Sequence, residues 1–187
     1  ANAVIDGTDV VMLSQESAAG SWPVKAVEAM ARICVGAEKQ FIADVDFEAA
    51  RRGLERADQA IAMATMFLSE HIGVRGVVAM TESGGTARFL SRFRSSVPIF
   101  AFSRHGPARR KMALMRDVFP MDYDSRGQTP REAARGSIRL LVDAGLLQPG
   151  DRVVFTSGEH METRGATNTL RLLEIGEDGC ATGLGEL

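Results

Sequence analysis

Two short segments of this 187-residue chain carry the residue types that hold an anion. The first is Thr81-Glu82-Ser83-Gly84-Gly85-Thr86, set between a compact apolar run and a helix-periodic stretch. Its glycines let the backbone approach a ligand closely. Its hydroxyls, with the amide groups left free at a helix start, suit phosphate oxygens. The same Ser-Gly-Gly sequence also serves simply as a turn, and Glu82 opposes an anion unless it points away. The second segment, residues 157–168, contains glycine and contributes Arg164 and Thr167. Side by side at one end of a parallel sheet, the two would make a phosphate-sized pocket from Thr81, Ser83, Gly84, Gly85, Thr86, Arg164 and Thr167.

A third polar group, Asp6, Asp9, Ser14, Glu16 and Ser17, stands near the beginning. Ser14 and Glu16 follow an apolar run, residues 10–13, that reads as a buried strand. Past the carboxyl end of a barrel strand they would lie on a catalytic rim, whereas helix capping explains the same residue types equally well. No histidine neighbours these serines in a triad arrangement. Gly84, Gly85 and Gly106 match neither a dinucleotide-binding nor a Walker fingerprint. His71, His105 and His160 are scattered, and Cys34 and Cys180 stand far apart outside any metal spacing. The residues therefore predict no metal site and no cofactor, and they fit a reduced, cytoplasmic protein.

Strand-helix alternation must position these groups. Residues 76–80, 97–102, 118–121, 152–156 and 169–175 read as strands. Helices are expected from Ala57 to near Gly73, over 85–93 and 107–115, and after the cap Thr129-Pro130 as far as Gly145. A further strand-loop-helix unit covers residues 3–40, with Pro23 in the first turn of its helix. The charged stretch 41–55 reads as a linker with a short helix around 47–52. The expected fold is α/β: a mostly parallel five-stranded sheet with helices on both faces and one antiparallel strand at an edge. The expected domains are 1–42, one βα unit, and 43–187.

Composition narrows the partners. Apolar residues make up 45% and aromatics 6%, and the formal net charge is −2. Neither a nucleic-acid nor a membrane surface is expected, and Arg104, Arg109, Arg110 and Lys111 read as a solvated helix face. A chain that opens on Ala1 and runs at once into an apolar segment is expected to be a piece of a longer protein.

Residues 2–9 (Asn-Ala-Val-Ile-Asp-Gly-Thr-Asp), 11–20 (Val-Met-Leu-Ser-Gln-Glu-Ser-Ala-Ala-Gly), Pro23-Val24 and Ala26-Val27 closely resemble the eighth strand, loop and helix of the pyruvate kinase barrel. Residues 81–87 resemble that family's phosphate-binding loop for its allosteric effector. Pro149-Gly150-Asp151 and residues 165–169 resemble the turn and final-strand entry of the same domain, so the likeness covers essentially the whole chain. It implies one residual βα unit of a TIM barrel followed by the regulatory domain of an enzyme that transfers a phosphoryl group from phosphoenolpyruvate to ADP in glycolysis. It also implies Mg²⁺ or Mn²⁺, often with K⁺, a homotetramer, and a sugar-phosphate or nucleotide effector.

The family's metal carboxylates and key cations come from earlier barrel strands, so only the rim residues Ser14 and Glu16 carry over. The chain alone is therefore expected to be inactive. Gln15 and Ala19 depart from the family pattern, which weakens a nucleotide contact from this loop. Residues 124–135 lack the Trp that helps hold a sugar bisphosphate. Arg126, Arg131 and Arg135 stand nearby, and a hexose monophosphate or AMP fits at least as well. The alternative is a free-standing phosphometabolite-binding α/β protein, and a third role is homo-oligomerisation through the last strand.

Overall fold

The computed structural model describes residues 1–40, 54–93, 95, 97–159, 163 and 165–183. The chain divides into two compact units, Ala1–Asp44 and Val45–Leu187. The short helix expected around 47–52 lies outside the described residues.

The first unit holds α1 (Asn2–Ile5), α2 (Gln15–Ala18) and α3 (Pro23–Glu38). Pro23 opens α3, where its missing N–H costs nothing, and Trp22 is the N-cap. The buried strand expected at residues 10–13 is not formed: the segment is irregular, and Val10, Val11 and Met12 are exposed. A strand needs a neighbour to satisfy its backbone, and the described residues of this unit supply none.

The second unit is an α/β sandwich. Its six strands are β1 (Gly76–Met80), β2 (Ile99–Ser103), β3 (Val118–Asp122), β4 (Arg152–Gly158), β5 (Thr167–Ile175) and β6 (Ala181–Thr182), in the order β3-β2-β1-β4-β5-β6. The first four are parallel, while β5 and β6 are antiparallel additions. The expected count of five strands omitted β6, a two-residue strand that meets β5 only at Glu174 and Ile175. Every residue of β1 and β2 is buried, as befits strands covered on both sides.

On one face α7 (Pro130–Asp143) lays Ala133, Ala134, Ile138 and Leu141 on Val78, Phe100, Phe102 and Phe155. On the other, α4 (Ala57–Ile72), α5 (Gly85–Leu90) and α6 (Gly106–Met112) place Ala62, Met66, Leu90 and Met112 on Val77, Ala79, Ile99 and Ala101. Thr129 starts α7 with a reciprocal cap: its hydroxyl accepts from Glu132 N at 3.2 Å, and Glu132 Oε2 accepts from Thr129 N at 2.7 Å. Gly73, at φ +61°, ends α4 in the left-handed conformation that glycine adopts most readily.

Candidate functional site

The strand order turns back at β1. From β1 the chain steps outward to β2 and β3 on one side, then crosses to β4 on the other. Such a reversal leaves a crevice beyond the carboxyl ends of the two central strands. A cavity of about 540 Å³ lies there, lined by the loop after β1, by Gly158 at the end of β4, Thr163, Gly165 and Thr167 at the start of β5, and by residues of α4, α5 and α6. Its volume is in the range of small-molecule sites.

Both glycine- and hydroxyl-bearing segments of the sequence meet in this cavity. Thr81, Ser83, Gly84, Gly85, Thr86 and Thr167 all line it. Arg164 lies outside the described residues. The two segments join directly: Thr86 Oγ1 and Thr167 Oγ1 share a buried hydrogen bond of 2.7 Å across 81 residues of sequence. Thr81 Oγ1 accepts from Gly84 N at 3.0 Å and closes the turn. Gly84 sits at φ +85° and ψ 7°, and a Cβ there would fall 2.9 Å from Met112 Cγ. Glycine is therefore required twice at this position, by its backbone conformation and by the approach of α6.

Five charged residues on the cavity wall sort by partner. Arg56 is held by Asp58 in a two-pronged pair, Nη2 to Oδ2 at 2.6 Å and Nε to Oδ1 at 3.0 Å. Gly165 lies over that pair, since a Cβ there would come within 2.9 Å of Arg56 Nη2. Arg88 and Lys111 form no ion pair among the described residues and carry the cavity's uncompensated positive charge. Glu82 is the residue that opposes an anion. Its Oε2 receives Arg104 Nη2 at 3.1 Å and meets His105 Nε2 at 2.5 Å, and its Oε1 receives Arg104 Nε at 3.4 Å. Burial alone would raise the Glu82 carboxyl. The hydrogen bonds and charges of Arg104, then His105, outweigh it and hold the group below its usual range.

The sequence patterns missed Arg56, Asp58, Arg88 and Lys111. Composition predicts one solvated basic face for Arg104, Arg109, Arg110 and Lys111, but the face is divided among tasks. Arg104 binds Glu82, Arg109 Nη1 donates to Ser103 O and to Asp122 Oδ1, both at 2.7 Å, and Lys111 lines the cavity. Position carried a usable signal, because every loop that leaves the carboxyl end of a parallel strand arrives at the same rim. Of the three arginines near residues 124–135, none lines the cavity. Arg126 is tied to Asp124 at 2.6 Å, and Asp124 is held at about 2 by that hydrogen bonding.

In the first unit, Ser14 and Glu16 form a local cap. Ser14 N donates to Glu16 Oε2 at 3.1 Å, and Ser14 O accepts from Ala18 N at 3.0 Å at the start of α2. Backbone hydrogen bonds, from Glu16 itself and then Ser14, keep the Glu16 carboxyl below its usual range.

Comparison with known proteins agrees with this architecture. Residues 59–173 match the pyruvate kinase alpha/beta domain, and residues 1–27 match the pyruvate kinase barrel domain. The chain is 46% identical to pyruvate kinase II of Salmonella typhimurium over 176 residues, covering 94% of this chain and 36% of that protein. It is 40% identical to a pyruvate kinase of Buchnera aphidicola (subspecies Baizongia pistaciae), with the same coverage of 94% and 36%. Against the Haemophilus influenzae pyruvate kinase the identity is 38%, again over 94% of this chain and 36% of the relative. The chain thus spans about a third of the length of these curated relatives. An alpha/beta domain matched over most of its sheet, preceded by a barrel match, shows that this chain belongs to the pyruvate kinase family.

Proposed function

We propose that the chain is the regulatory domain of a pyruvate kinase, residues 43–187, joined to the last βα unit of its barrel, residues 1–42. Its cavity takes a phosphorylated small-molecule effector, a sugar phosphate or AMP. The observation that carries this is the meeting of two hydroxyl- and glycine-bearing loops at the strand-order reversal, with Arg88 and Lys111, which form no ion pair among the described residues, on the same wall. Hydroxyls of Thr81, Ser83 and Thr86, with the side chain of Arg164, are the donors for phosphate oxygens. Charge-assisted bonds to the cations add affinity. Calorimetric titration with fructose 1,6-bisphosphate, glucose 6-phosphate, ribose 5-phosphate and AMP tests the site. At least one binds, and Ser83→Ala or Thr86→Ala weakens it. Heat-silent titrations with all four would overturn the proposal.

The whole enzyme would transfer a phosphoryl group from phosphoenolpyruvate to ADP with Mg²⁺ or Mn²⁺, often with K⁺, in the cytoplasm. Phosphoryl transfer relies on cations and metal carboxylates arranged around the moving group. Among the described residues no group of three His, Cys, Asp or Glu side chains is placed to hold a metal, so no metal-dependent step is assigned to them. Only residues 1–27 match the barrel domain that carries the family's chemistry, so the chain alone is expected to form no pyruvate. A coupled pyruvate-formation assay showing turnover near that of an intact enzyme would refute this. A homo-oligomer forms through β5, which β6 covers only at Glu174 and Ile175 and which leaves Leu172 42% exposed. Sedimentation showing only monomer at assay concentrations would count against it.

A further inference from the structure

Glu82 sits in the middle of the loop that would receive an anion, and a free carboxylate there would repel it. We infer that Arg104 and His105 are positioning residues that make the cavity anion-accepting by holding Glu82 against the neighbouring loop. The inference rests on the anion site proposed above and concerns how that site selects charge.

Three features support it. First, both carboxylate oxygens of Glu82 are engaged, by Arg104 at 3.1 and 3.4 Å and by His105 at 2.5 Å, and the Glu82 side chain is only 9% exposed. Secondly, Glu82 lines the cavity whereas Arg104 and His105 do not, so its charge is drawn toward a loop outside the wall. Thirdly, that loop is braced to receive it. Thr81 N donates to Phe102 O at 3.0 Å, Ser103 Oγ donates to Glu82 O at 3.4 Å, and His105 N donates to Ser103 Oγ at 3.2 Å. The exits of β1 and β2 are therefore joined by one backbone hydrogen bond and by the Ser103 hydroxyl, which bridges Glu82 O and His105 N.

The balance of charge turns on this clamp. With Glu82 paired, Arg88 and Lys111 dominate the cavity wall. Without Arg104 and His105, an unpaired carboxylate would stand beside the incoming phosphate, and like-charge placement in a partly desolvated site is strongly unfavourable. A neutral Gln at position 82 would make the clamp dispensable.

The test is a set of variants of the full chain, titrated calorimetrically with inorganic phosphate and with glucose 6-phosphate. Arg104→Gln/His105→Gln is expected to weaken binding by about ten- to a hundredfold. Glu82→Gln alone binds at least as tightly as the unaltered chain. Adding Glu82→Gln to the double variant restores affinity to within about threefold of the unaltered chain. Thermal melting confirms that each variant folds, and Arg104→Gln alone, at a partly exposed site, serves if the double variant does not. If the unaltered chain binds neither probe nor any of the four effectors, the anion site itself fails and the clamp with it. If it binds and the clamp variants bind equally well, the clamp alone is refuted. Weakened binding that Glu82→Gln does not restore also refutes it, because Arg104 and His105 would then act as direct cations or as loop supports.

Discussion

Replacing Gly84 by alanine separates two demands that fall on one residue. Gly84 has φ +85°, and so does Gly150 in the turn before β4. At Gly150 an added Cβ meets nothing within 4 Å, whereas at Gly84 it falls 2.9 Å from Met112 Cγ and 3.3 Å from Met112 Sδ. The left-handed conformation costs an L-residue about 1–2 kcal/mol. Forcing a methyl group into a filled site costs about 1–3 kcal/mol more. Met112 is fully buried in the α6 packing and has little room to yield. Gly150→Ala should therefore lose about 1–2 kcal/mol and Gly84→Ala about 2–5 kcal/mol.

Urea unfolding followed by circular dichroism reads the difference. With a slope of about 2 kcal/mol/M, the midpoint should fall by about 0.5–1 M for Gly150→Ala and about 1–2.5 M for Gly84→Ala. Met112→Ala removes the obstructing atoms at its own cost, so the Gly84→Ala/Met112→Ala pair should fall short of additivity by about the clash energy, 1–3 kcal/mol. Equal midpoint shifts for the two glycine variants, or additivity within about 0.5 kcal/mol, would refute the claim that α6 closes on the turn.

Other outcomes follow from the same wall. Thr86→Val leaves the Thr167 hydroxyl buried without its partner and should destabilise the fold by about 1–3 kcal/mol. Thr86→Val/Thr167→Val should recover part of that loss, and a fully additive cycle would show that the 2.7 Å contact is energetically silent. Lys111→Gln should weaken phosphate binding and flatten its dependence on salt without moving the melting temperature, since Lys111 is exposed and forms no ion pair among the described residues. Unchanged binding in calorimetry at two ionic strengths would remove Lys111 from the site. Glu82 has its folded-state carboxyl held low, so its stabilisation is present above the unfolded value of about 4.3 and is lost as pH falls through the lower folded value. Glu82→Gln should therefore be less stable than the unaltered chain at neutral pH and match it in acid. A gap in urea midpoints that persists unchanged in acid would contradict this.

Much of the sheet was legible because its strands are short apolar runs between turn signals. The run Gly76–Met80 is the strand as observed, and Thr129-Pro130 announces α7 through capping chemistry. Residues 10–13 show the limit of that method. An apolar run states only that its side chains favour burial; whether a strand forms depends on a neighbour that local sequence does not name. β6 escaped notice for the opposite reason. Ala181–Thr182 has almost no pattern of its own and is a strand only because Glu174 and Ile175 lie beside it. In the site, the glycines and hydroxyls advertised themselves, but the ion pairs did not. Nothing in the order of residues says that Arg104 turns to Glu82, 22 positions earlier, or that Arg56 turns to Asp58.

The strand order explains why the cavity opens where it does. Alternating strands and helices are compatible with several orders, and the observed one places the loops after β1 and β4 side by side. Because β2 and β3 extend outward from one flank of β1, the chain must cross the sheet to lay β4 on the other flank, and α7 covers the opposite face on the way. The loop after β1 thus has α4, α5 and α6 on its own face, and among the described residues no helix follows β4. The next strand, β5, pairs antiparallel with β4. Thr167, the first residue of β5, consequently reaches Thr86, and Gly158 closes the base of the loop, where a Cβ would strike Ala166 O at 2.7 Å. A crossover helix in place of that antiparallel return would carry the chain off the rim, and the hydroxyl pair could not form. The hairpin at the end of the sheet is therefore what turns a turn-forming glycine loop into one wall of a binding cavity.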